Sequence, residues 1–399
     1  MIVGVPKETF PGERRVAVIP AVVPKLAELG LAVVIEAGAG EAAGFPDPLY
    51  AEKGARVASR ADVLAGAEMI LAVRSLASSH IAPAPDLSYL RPGQIVVGFL
   101  DPIGAPDGVQ AIAERGVIAF ALDLIPRISR AQAMDALSSQ ATVIGYKAVL
   151  LAADTLPRMF PLMMTAGGTL TPARVFVIGA GVAGLQAIAT ARRLGAVVEG
   201  YDIRPAAREQ IESLGARVVE LPMEAKDAQD EGGYARAMDD EFYRRQRETM
   251  AKVVAASDVV ICTAAIPGTK APILIGAEMV DAMRPGSIIV DVAAEQGGNC
   301  ELTRPGQVVV RSGVSVLGPV NVAAAVPSHA SLMHARNIAN FLALVVKGGK
   351  LVVDESDQIV RETLVARGGN VVHPRLRESL GLPALTAPRA GRARETGDG

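Results

Sequence analysis

The sequence predicts an α/β protein with two doubly wound, parallel-sheet domains and a cleft between them. Three observations support this fold class. Short β-branched runs alternate with helical stretches of about 10 to 15 residues, which is the pattern of βαβ units. The chain has 399 residues, enough for two domains of usual size. Half of its residues are apolar but only 4% are aromatic, so Val, Ile, Leu and Ala must fill the core, as they do around buried parallel strands.

The predicted elements divide into two series. In the first, helices such as PAVVPKLAELG and DGVQAIAERG lie between the strands IVGVPK, LAVVIEAG, EMILAVR, QIVVGFL and VIAFAL. In the second, the strands are ARVFVIG, AVVEGYD, ARVVEL, DVVICTA, SIIVDVA and VSVLG. We place the two domains at residues 1–126 and 138–327.

The C-terminal region begins with an apolar helix, SLMHARNIANFLALVVKGG, which we place at 328–348 as a link between the domains. ETLVARGGNVVHP has the order strand, Gly-Gly, strand, and predicts a hairpin. Because the second domain already has a full set of strands, we expect residues 349–380 to rejoin the first. The tail at 384–399 is rich in Pro, Gly and charge, and is expected to be disordered.

Charge and composition exclude several function classes. Forty basic and forty-two acidic side chains give a net charge of −2, which is no electrostatic footprint for nucleic acid. Cys262 and Cys300 lie in apolar stretches without a ligand-spaced neighbour, so buried free thiols in a reducing compartment are expected, with no disulfide or metal site. The N-terminus lacks the pattern of a signal peptide. No stretch reaches the ~18 uninterrupted apolar residues of a spanning helix, so no direct membrane insertion is expected.

The most specific motif is VFVIGAGVAGLQAIATARRLGAVVEGYDIRP. Gly179 permits a tight turn after the strand, Gly181 lets the backbone approach a pyrophosphate at the helix N-terminus, and Gly184 lets helix and strand pack closely. Asp202 ends the next strand and can accept both ribose hydroxyls of NAD, while its charge would repel a 2′-phosphate. Arg204 could instead accept NADP, but an arginine there more often packs over the adenine side or faces solvent. The predicted dinucleotide contacts are Gly179, Ala180, Gly181, Val182, Asp202, Ile203 and Arg204.

A second glycine-rich run, VVIEAGAGEAAGFPD, does not fit that pattern. Gly38, Gly40 and Gly44 have one residue too many between them, and Pro46 soon interrupts any helix. We interpret this run as a structural turn.

The stretch RISRAQAMDALSSQ, residues 127–140, crowds polar groups at a helix start. A surface helix would normally carry Glu and Lys in these places. Here the polar residues are Arg127, Arg130, Gln132, Asp135, Ser138 and Ser139. A capped helix between the domains is one explanation, and a ligand-binding segment is the other.

Several motifs together resemble the alanine dehydrogenase and nicotinamide nucleotide transhydrogenase superfamily, over roughly residues 1 to 375. They are GVPKETFPGERRVAVIPAVVPKLAELG, EAGAGEAAGFPD, PRISRAQAMDALSSQATVIGYKAV, the glycine fingerprint and DVAAEQGGNCELT. PRISRAQAMDALSSQ and EGGYARAMDDEF specifically resemble the NAD(H)-binding domain of proton-translocating transhydrogenase, in the form whose alpha subunit is split into separate chains. The resemblance implies two Rossmann-like domains, and a segment at 127–140 that grips the nicotinamide end of NAD(H).

The site residues that the resemblance implies extend beyond the fingerprint. Arg127, Gln132, Asp135 and Ser138 match the segment at the nicotinamide, where Gln132 and Asp135 could fix the ring and its carboxamide. A long polar loop with Gly232-Gly233 and an aromatic tip suits a cover over bound nucleotide. Further cofactor contacts are expected at Ile128, Ser129, Leu137, Ser139, Gly233, Tyr234, Gln246 and Ala265. Asn321-Val322-Ala323 departs from the family's Asn-Val-Pro.

Chemistry separates the two branches of the superfamily. An amino-acid dehydrogenase must bind a carboxylate and move a proton as well as a hydride. The residues implied by that branch are an Arg, a Lys, a His and an Asp. Here Arg15 remains, but Arg74 replaces the Lys, residues 98–102 contain no His, and Glu295 replaces the Asp. His80, His329, His334 and His373 are expected at the surface or at helix caps.

Direct hydride transfer between two nicotinamide rings needs none of these groups. We therefore expect NAD(H) here and NADP(H) on a partner subunit, with proton translocation in membrane-spanning subunits. The chain would be a homodimer in the cytoplasm, peripheral on the inner face of the cell membrane. An amino-acid dehydrogenase with altered substrate and a non-catalytic NAD sensor are the alternatives.

Overall fold

The computed structural model describes residues 1–74, 85–220, 240–265 and 268–384. Two large sheets of mainly parallel strands dominate it, so the predicted fold class is confirmed. The strands are β1 Ile2–Val5, β2 Ala32–Glu36, β3 Arg56–Ala58, β4 Met69–Arg74, β5 Ile95–Phe99, β6 Ile118–Ala121, β7 Met163–Thr165, β8 Gly168–Leu170, β9 Arg174–Ile178, β10 Val197–Tyr201, β11 Arg217–Val218, β12 Val259–Cys262, β13 Ile288–Asp291, β14 Val308–Arg311, β15 Val314–Leu317, β16 Val346–Lys347, β17 Lys350–Leu351, β18 Leu364–Arg367 and β19 Asn370–Val371.

Helices cover the faces of these sheets and connect the strands. The α-helices are α1 Val23–Glu28, α2 Asp47–Glu52, α3 Arg60–Gly66, α4 Pro106–Glu114, α5 Ala136–Thr155, α6 Val182–Arg193, α7 Ala207–Ser213, α8 Asp240–Ala256, α9 Ala277–Asp281, α10 Pro327–Val345, α11 Gln358–Thr363 and α12 Pro374–Ser379. Short 3₁₀ helices include Glu41–Ala43 and Ser129–Met134.

The first sheet has the order β19-β18-β6-β5-β4-β1-β2-β3, and the second has the order β11-β10-β9-β12-β13-β15-β14. The predicted strands of both series occur in the structure. Two strands of these sheets were not predicted, β3 and β14. Both are edge strands, and Val308 and Val310 of β14 are exposed, so neither carries the apolar pattern of a buried strand.

The C-terminal hairpin consists of β18 and β19, joined by Gly368 and Gly369. Strand β18 pairs with β6 in antiparallel orientation, at the edge of the first sheet. The limits of the two domains, at 126, 138 and 327, stay a prediction. Residues 385–399 of the predicted tail lie outside the described residues.

Two long helices lie between the sheets. Helix α10, which covers most of the predicted link at 328–348, contributes Ala335, Ile338 and Phe341 to the core of the first sheet. Helix α5 packs against α6 and α10. Of the described helices, α5 alone is long and apolar enough to cross a membrane by length and composition.

Candidate functional site

The glycine-rich turn after β9 has the geometry of an anion cradle. Gly179 adopts a φ of 91°, which disfavours other residues, and a Cβ there would lie 2.9 Å from Thr263 Oγ1. Gly181 is exposed, and a Cβ there would meet no atom within 4 Å. Helix α6 starts at the next residue, so its free N–H groups point toward this open space. A pyrophosphate fits this position, because its oxygens need backbone donors and close approach.

The third glycine fixes how α6 lies on the sheet. A Cβ on Gly184 would overlap the carbonyl oxygen of Gly179, so only glycine permits this packing. Gly145 of α5 has the same role, because a Cβ there would overlap the carbonyl oxygen of Ala183 in α6. Ser138 lies seven residues before Gly145 on α5, about 10 Å along the helix axis. The start of α5 is therefore within one dinucleotide length of the turn.

Asp202, at the end of β10, faces the same turn. The Ala180 amide donates to Asp202 Oδ2 over 2.7 Å. Arg204 donates to Asp202 through its backbone N–H and through Nε and Nη2, at 2.8, 2.9 and 2.9 Å. The Asp202 side chain is only 6% exposed. The expectation for Arg204 differs from the structure here, because its guanidinium packs onto Asp202 instead of facing solvent.

The remaining residues of the second domain with a predicted cofactor contact lie in different environments. Val182 and Ile203 are half-buried, and Ala265 is exposed. Gln246 is buried, and its Nε2 donates to the Tyr201 hydroxyl over 2.7 Å, directly before Asp202. Gly233 and Tyr234 lie outside the described residues.

Sequence reasoning missed the residues that hold the loop after β12. The Thr263 hydroxyl donates to the carbonyl oxygens of Ile178 and Gly179. Asn299, fully buried, accepts from the Ala264 amide and donates to the Ala264 carbonyl at 3.1 and 2.7 Å. Asp291 accepts from the Asn299 amide. These contacts fix the loop that leads to Ala265 against the glycine-rich turn.

Most polar groups of the segment 127–140 hold the segment in place. Asp135 caps α5, accepting from the Ser138 amide at 2.9 Å and from the Ser138 hydroxyl at 2.6 Å. Ser139 donates to the Asp135 carbonyl. Arg130 pairs with Asp357 through two hydrogen bonds of 2.7 and 2.8 Å. The capped-helix explanation therefore accounts for these four residues of the segment.

The other polar residues of this segment face outward. Arg127, Ser129 and Gln132 are exposed, while Ile128 and Leu137 are half-buried. The side chains of Asn337 and Asn340 both donate to the Ala133 carbonyl, so α10 anchors the backbone that carries Gln132. A fixed backbone with outward polar side chains suits a segment that aligns a ring.

The floor of the cleft is a buried ion network centred on Arg15. Its guanidinium donates to both Glu13 oxygens at 2.8 and 2.7 Å, to Gln140 at 2.8 Å and to Asn321 at 3.2 Å. Asn321, with a φ of 47°, also donates to Glu13. The hydrogen bonds and charge of Arg15 outweigh burial and lower the Glu13 pKa to about 2. The network joins the first domain, the start of α5 and the second domain.

Arg74 crosses the cleft to reach Glu295, with its Nη2 2.9 Å from the carboxylate, and its guanidinium lies 3.8 Å from the centre of the Phe10 ring. Glu8 accepts from the amides of Val73 and Arg74 at 2.6 and 3.1 Å, and burial raises its pKa to about 8. The charged groups of this region therefore already have partners within the protein.

One expectation about the histidines was wrong. His334 is completely buried on α10, where its ring lies 5.0 Å from that of Phe99, and burial lowers its pKa to about 4. The apolar run around it buries the imidazole as an aromatic surface. His329 is exposed, and His373 is buried at the N-cap of α12. His80 lies outside the described residues. Cys262 and Cys300 are buried free thiols, as predicted.

Comparisons with known proteins agree with this geometry. The family model described as the N-terminal domain of alanine dehydrogenase/PNT matches residues 4–144, and the model of its C-terminal domain matches residues 148–374. The chain is 45% identical to a Rhodospirillum rubrum protein, the first of the separate chains of NAD(P) transhydrogenase subunit alpha. This similarity covers 94% of this chain and 99% of that protein.

Two solved structures are similar over nearly the whole chain. A transhydrogenase from Sinorhizobium meliloti has a TM-score of 0.80 and 43% identity, and covers 94% of this chain and 100% of its own. An L-alanine dehydrogenase has a TM-score of 0.77 and 27% identity, and covers 96% and 99% of the two chains. Both branches that the sequence resembles thus share this fold.

Proposed function

The chain belongs to the alanine dehydrogenase/PNT family, and on this basis we propose that it is the NAD(H)-binding subunit of a proton-translocating transhydrogenase. One observation carries the proposal: Asp202 is hydrogen-bonded to the amide of Ala180, so the ribose-binding acid and the glycine-rich turn form one site. Bound NAD(H) would supply or accept a hydride at its nicotinamide ring. A partner subunit would hold NADP(H), and membrane-spanning subunits would carry the protons.

In this proposal the protein aligns the ring and excludes water, because direct hydride transfer needs no proton from a side chain. Gly181 and the N-terminus of α6 hold the pyrophosphate, and Asp202 holds the adenosine ribose. Gln132 and Arg127 reach the nicotinamide end from the segment anchored by Arg130 and Asp357. Asp135 and Ser138 give α5 a fixed start, and either remains available to the carboxamide.

Amino-acid dehydrogenation is the weaker proposal. A substrate carboxylate would need an arginine with free donors, but Arg15 is 5% exposed and donates to Glu13, Gln140 and Asn321. A proton relay would need a group that titrates near neutrality beside the substrate. Arg74 is paired with Glu295, and burial lowers the His334 pKa to about 4. The charges of the cleft floor therefore support the fold and leave no acid–base pair among these residues.

We further propose that the subunit is a homodimer, peripheral to the cell membrane through its partner subunits. The hairpin of β7 and β8 projects apolar side chains, and Met164 is 78% exposed. Apolar clusters of this kind commonly mark contact surfaces. Sedimentation velocity at micromolar concentration tests this: the parent should have a dimer's mass and Met164→Lys should shift toward the monomer. A monomeric parent would contradict the assembly.

The central test separates binding from transfer. Calorimetry on the full chain should give tighter binding of NADH than of NADPH. Membranes that hold the partner subunits should then reduce an NAD analogue with NADPH when the chain is added. In Gln132→Asn, NADH affinity should change by less than ~10-fold, while the transfer rate falls far more, since ~1 Å of ring displacement can cost about 100-fold.

Three outcomes would favour the alternatives. A rate in Gln132→Asn equal to the parent's would remove Gln132 from the ring site. Alanine-dependent NADH formation by the isolated chain would establish the dehydrogenase. Tight NADH binding without transfer to any NADP-bearing partner would indicate a sensor.

A further inference from the structure

The carboxylate of Asp202 has its hydrogen-bonding capacity filled by the protein itself. Oδ1 accepts from the backbone N–H and the Nε of Arg204, at 2.8 and 2.9 Å. Oδ2 accepts from the Ala180 amide and from Arg204 Nη2, at 2.7 and 2.9 Å. An ionised carboxylate offers about four acceptor positions. A ribose that binds Asp202 must therefore displace one of these donors.

Two of the four donors belong to one guanidinium. Nε and Nη2 of Arg204 approach the two oxygens side by side, and two neighbouring ribose hydroxyls would present their O–H groups to the same two oxygens. Both partners are largely buried, with 17% of the Arg204 side chain and 6% of the Asp202 side chain exposed. The ion pair is thus weakly screened by salt.

We propose that Arg204 is an internal competitor for the ribose subsite: its guanidinium occupies the hydroxyl positions on Asp202, and nucleotide binding displaces it. This inference rests on the proposed function, because it concerns the same NAD(H) site. When the guanidinium leaves, the two backbone amides stay on the carboxylate. Asp202 then keeps its orientation and gains two free acceptor positions, one for each hydroxyl.

The competitor has two consequences for affinity. Only the fraction of molecules with a displaced guanidinium binds, so the apparent dissociation constant for NADH rises in proportion. The displaced guanidinium also leaves a positive charge beside the ribose, where it attracts the 2′-phosphate of NADPH. Arg204 therefore weakens NADH binding and reduces the discrimination against NADPH.

The test is calorimetry of NADH and NADPH on the full chain with Arg204→Met, which keeps an unbranched apolar stem and removes the donors. We expect NADH to bind about three- to tenfold more tightly, since a charge-assisted pair of hydrogen bonds is lost only from the empty site. NADPH binding should weaken or stay the same. The matched control is Arg208→Met, because Arg208 is half exposed and pairs with Glu220 at 3.3 Å. This control should change NADH binding by less than about twofold.

A second background links the effect to Asp202. In Asp202→Asn the guanidinium loses its charged partner, so adding Arg204→Met should leave NADH affinity unchanged. If Arg204→Met does not fold, Arg204→Lys replaces it, since lysine lacks the paired donors and should give a smaller tightening.

Equal or weaker NADH binding by a folded Arg204→Met protein would overturn the competitor and leave the NAD(H) site intact. Tightening that persists in the Asp202→Asn background would also overturn it. Failure of the parent to bind NADH would overturn the proposed function itself.

Discussion

Both sheets carry a glycine-rich turn after a buried parallel strand, and the two turns differ in what lies against their backbone amides. In the turn after β2, the Gly38 amide donates to both oxygens of Asp47, at 2.9 and 3.1 Å. A Cβ on Gly40 would overlap the carbonyl of Phe45 and lie 2.5 Å from the Tyr50 hydroxyl. In the turn after β9, Gly181 is exposed and faces open space.

The same contrast extends along the edge of the first sheet. Glu8 accepts from the amides at the end of β4, and Asp123 accepts from the Leu100 amide after β5 at 2.7 Å. The protein's own carboxylates thus fill the positions that an anionic ligand would need. A glycine pattern after a strand becomes an anion site only where the following helix starts at once and no internal acid reaches its amides. Substitutions in and around the two turns can break or confirm this contrast.

Gly184→Ala should have the largest effect, on stability. The added Cβ would overlap the Gly179 carbonyl and lie 2.9 Å from Thr263 Oγ1, so α6 must move away from β9. We expect the free energy of unfolding to fall by about 3 kcal/mol or more, measured by urea denaturation. The control is Gly66→Ala at the end of α3, where a Cβ would meet no atom within 4 Å. Parental stability in Gly184→Ala would show that the helix can adjust.

Glu8 should make stability depend on pH in the opposite direction from an ordinary paired acid. Its pKa is about 8 in the folded protein against 4.5 without the fold, because it is buried. Between these values unfolding releases a proton, so stability falls as pH rises. The pKa of His334 is lowered by burial and that of Glu13 by Arg15, so both act in the other direction, below pH 6.5.

From pH 6.5 to 8 the Glu8 effect amounts to about 2 kcal/mol. Glu8→Gln should flatten that slope in urea denaturation, whereas Glu114→Gln, at an exposed position, should leave it as in the parent. A slope equally steep in Glu8→Gln would mean that Glu8 stays ionised at the strand end.

Much of the fold was predictable because buried parallel strands are continuous apolar runs. The strands of both sheets follow from that pattern, and the hairpin of β18 and β19 follows from its two glycines. Strands β3 and β14 were missed because edge strands are defined by their neighbours. The buried position of His334 was missed because only the packing of α10 on the first sheet makes it part of the core.

The candidate site was predictable only where a local motif encodes it. The spacing of the glycines and Asp202 predicts a turn and an acid, since one βαβ unit places both. Arg130 and Asp357 are far apart in the sequence, so no local pattern predicts their pairing. The clamp of Asn299 on Ala264 and the contact of Arg204 with Asp202 depend on loop conformations in the same way.

Gly181→Ala should separate binding from stability. A Cβ at this position enters open space, and the φ of Gly181 is −73°, which alanine adopts freely. We therefore expect the melting temperature to stay the same, while NADH affinity falls at least ~10-fold, about 1.4 kcal/mol, because the methyl group blocks the approach of the pyrophosphate. Calorimetry measures this directly. Unchanged NADH affinity would mean that the nucleotide does not lie on this turn.

Asp47→Ala should have the smallest effect, and it tests the other turn. Removing the carboxylate leaves the Gly38 amide without its acceptor and should cost about 1 kcal/mol of stability. NADH should still bind one site per chain with parental affinity, because Asp47 lies on the first sheet, away from Asp202. Asp107→Ala, an exposed acid in the first turn of α4, is the control for loss of charge at a helix start.

The number of sites in Asp47→Ala decides what closes the turn after β2. If the carboxylate alone excludes anions, its removal should allow phosphate or NADH to bind there, and calorimetry would report a second site. We expect no second site, because the contacts of Gly40 with Phe45 and Tyr50 leave no room for a pyrophosphate even without Asp47. One site per chain would show that packing excludes the ligand, and two would show that the charge of Asp47 does.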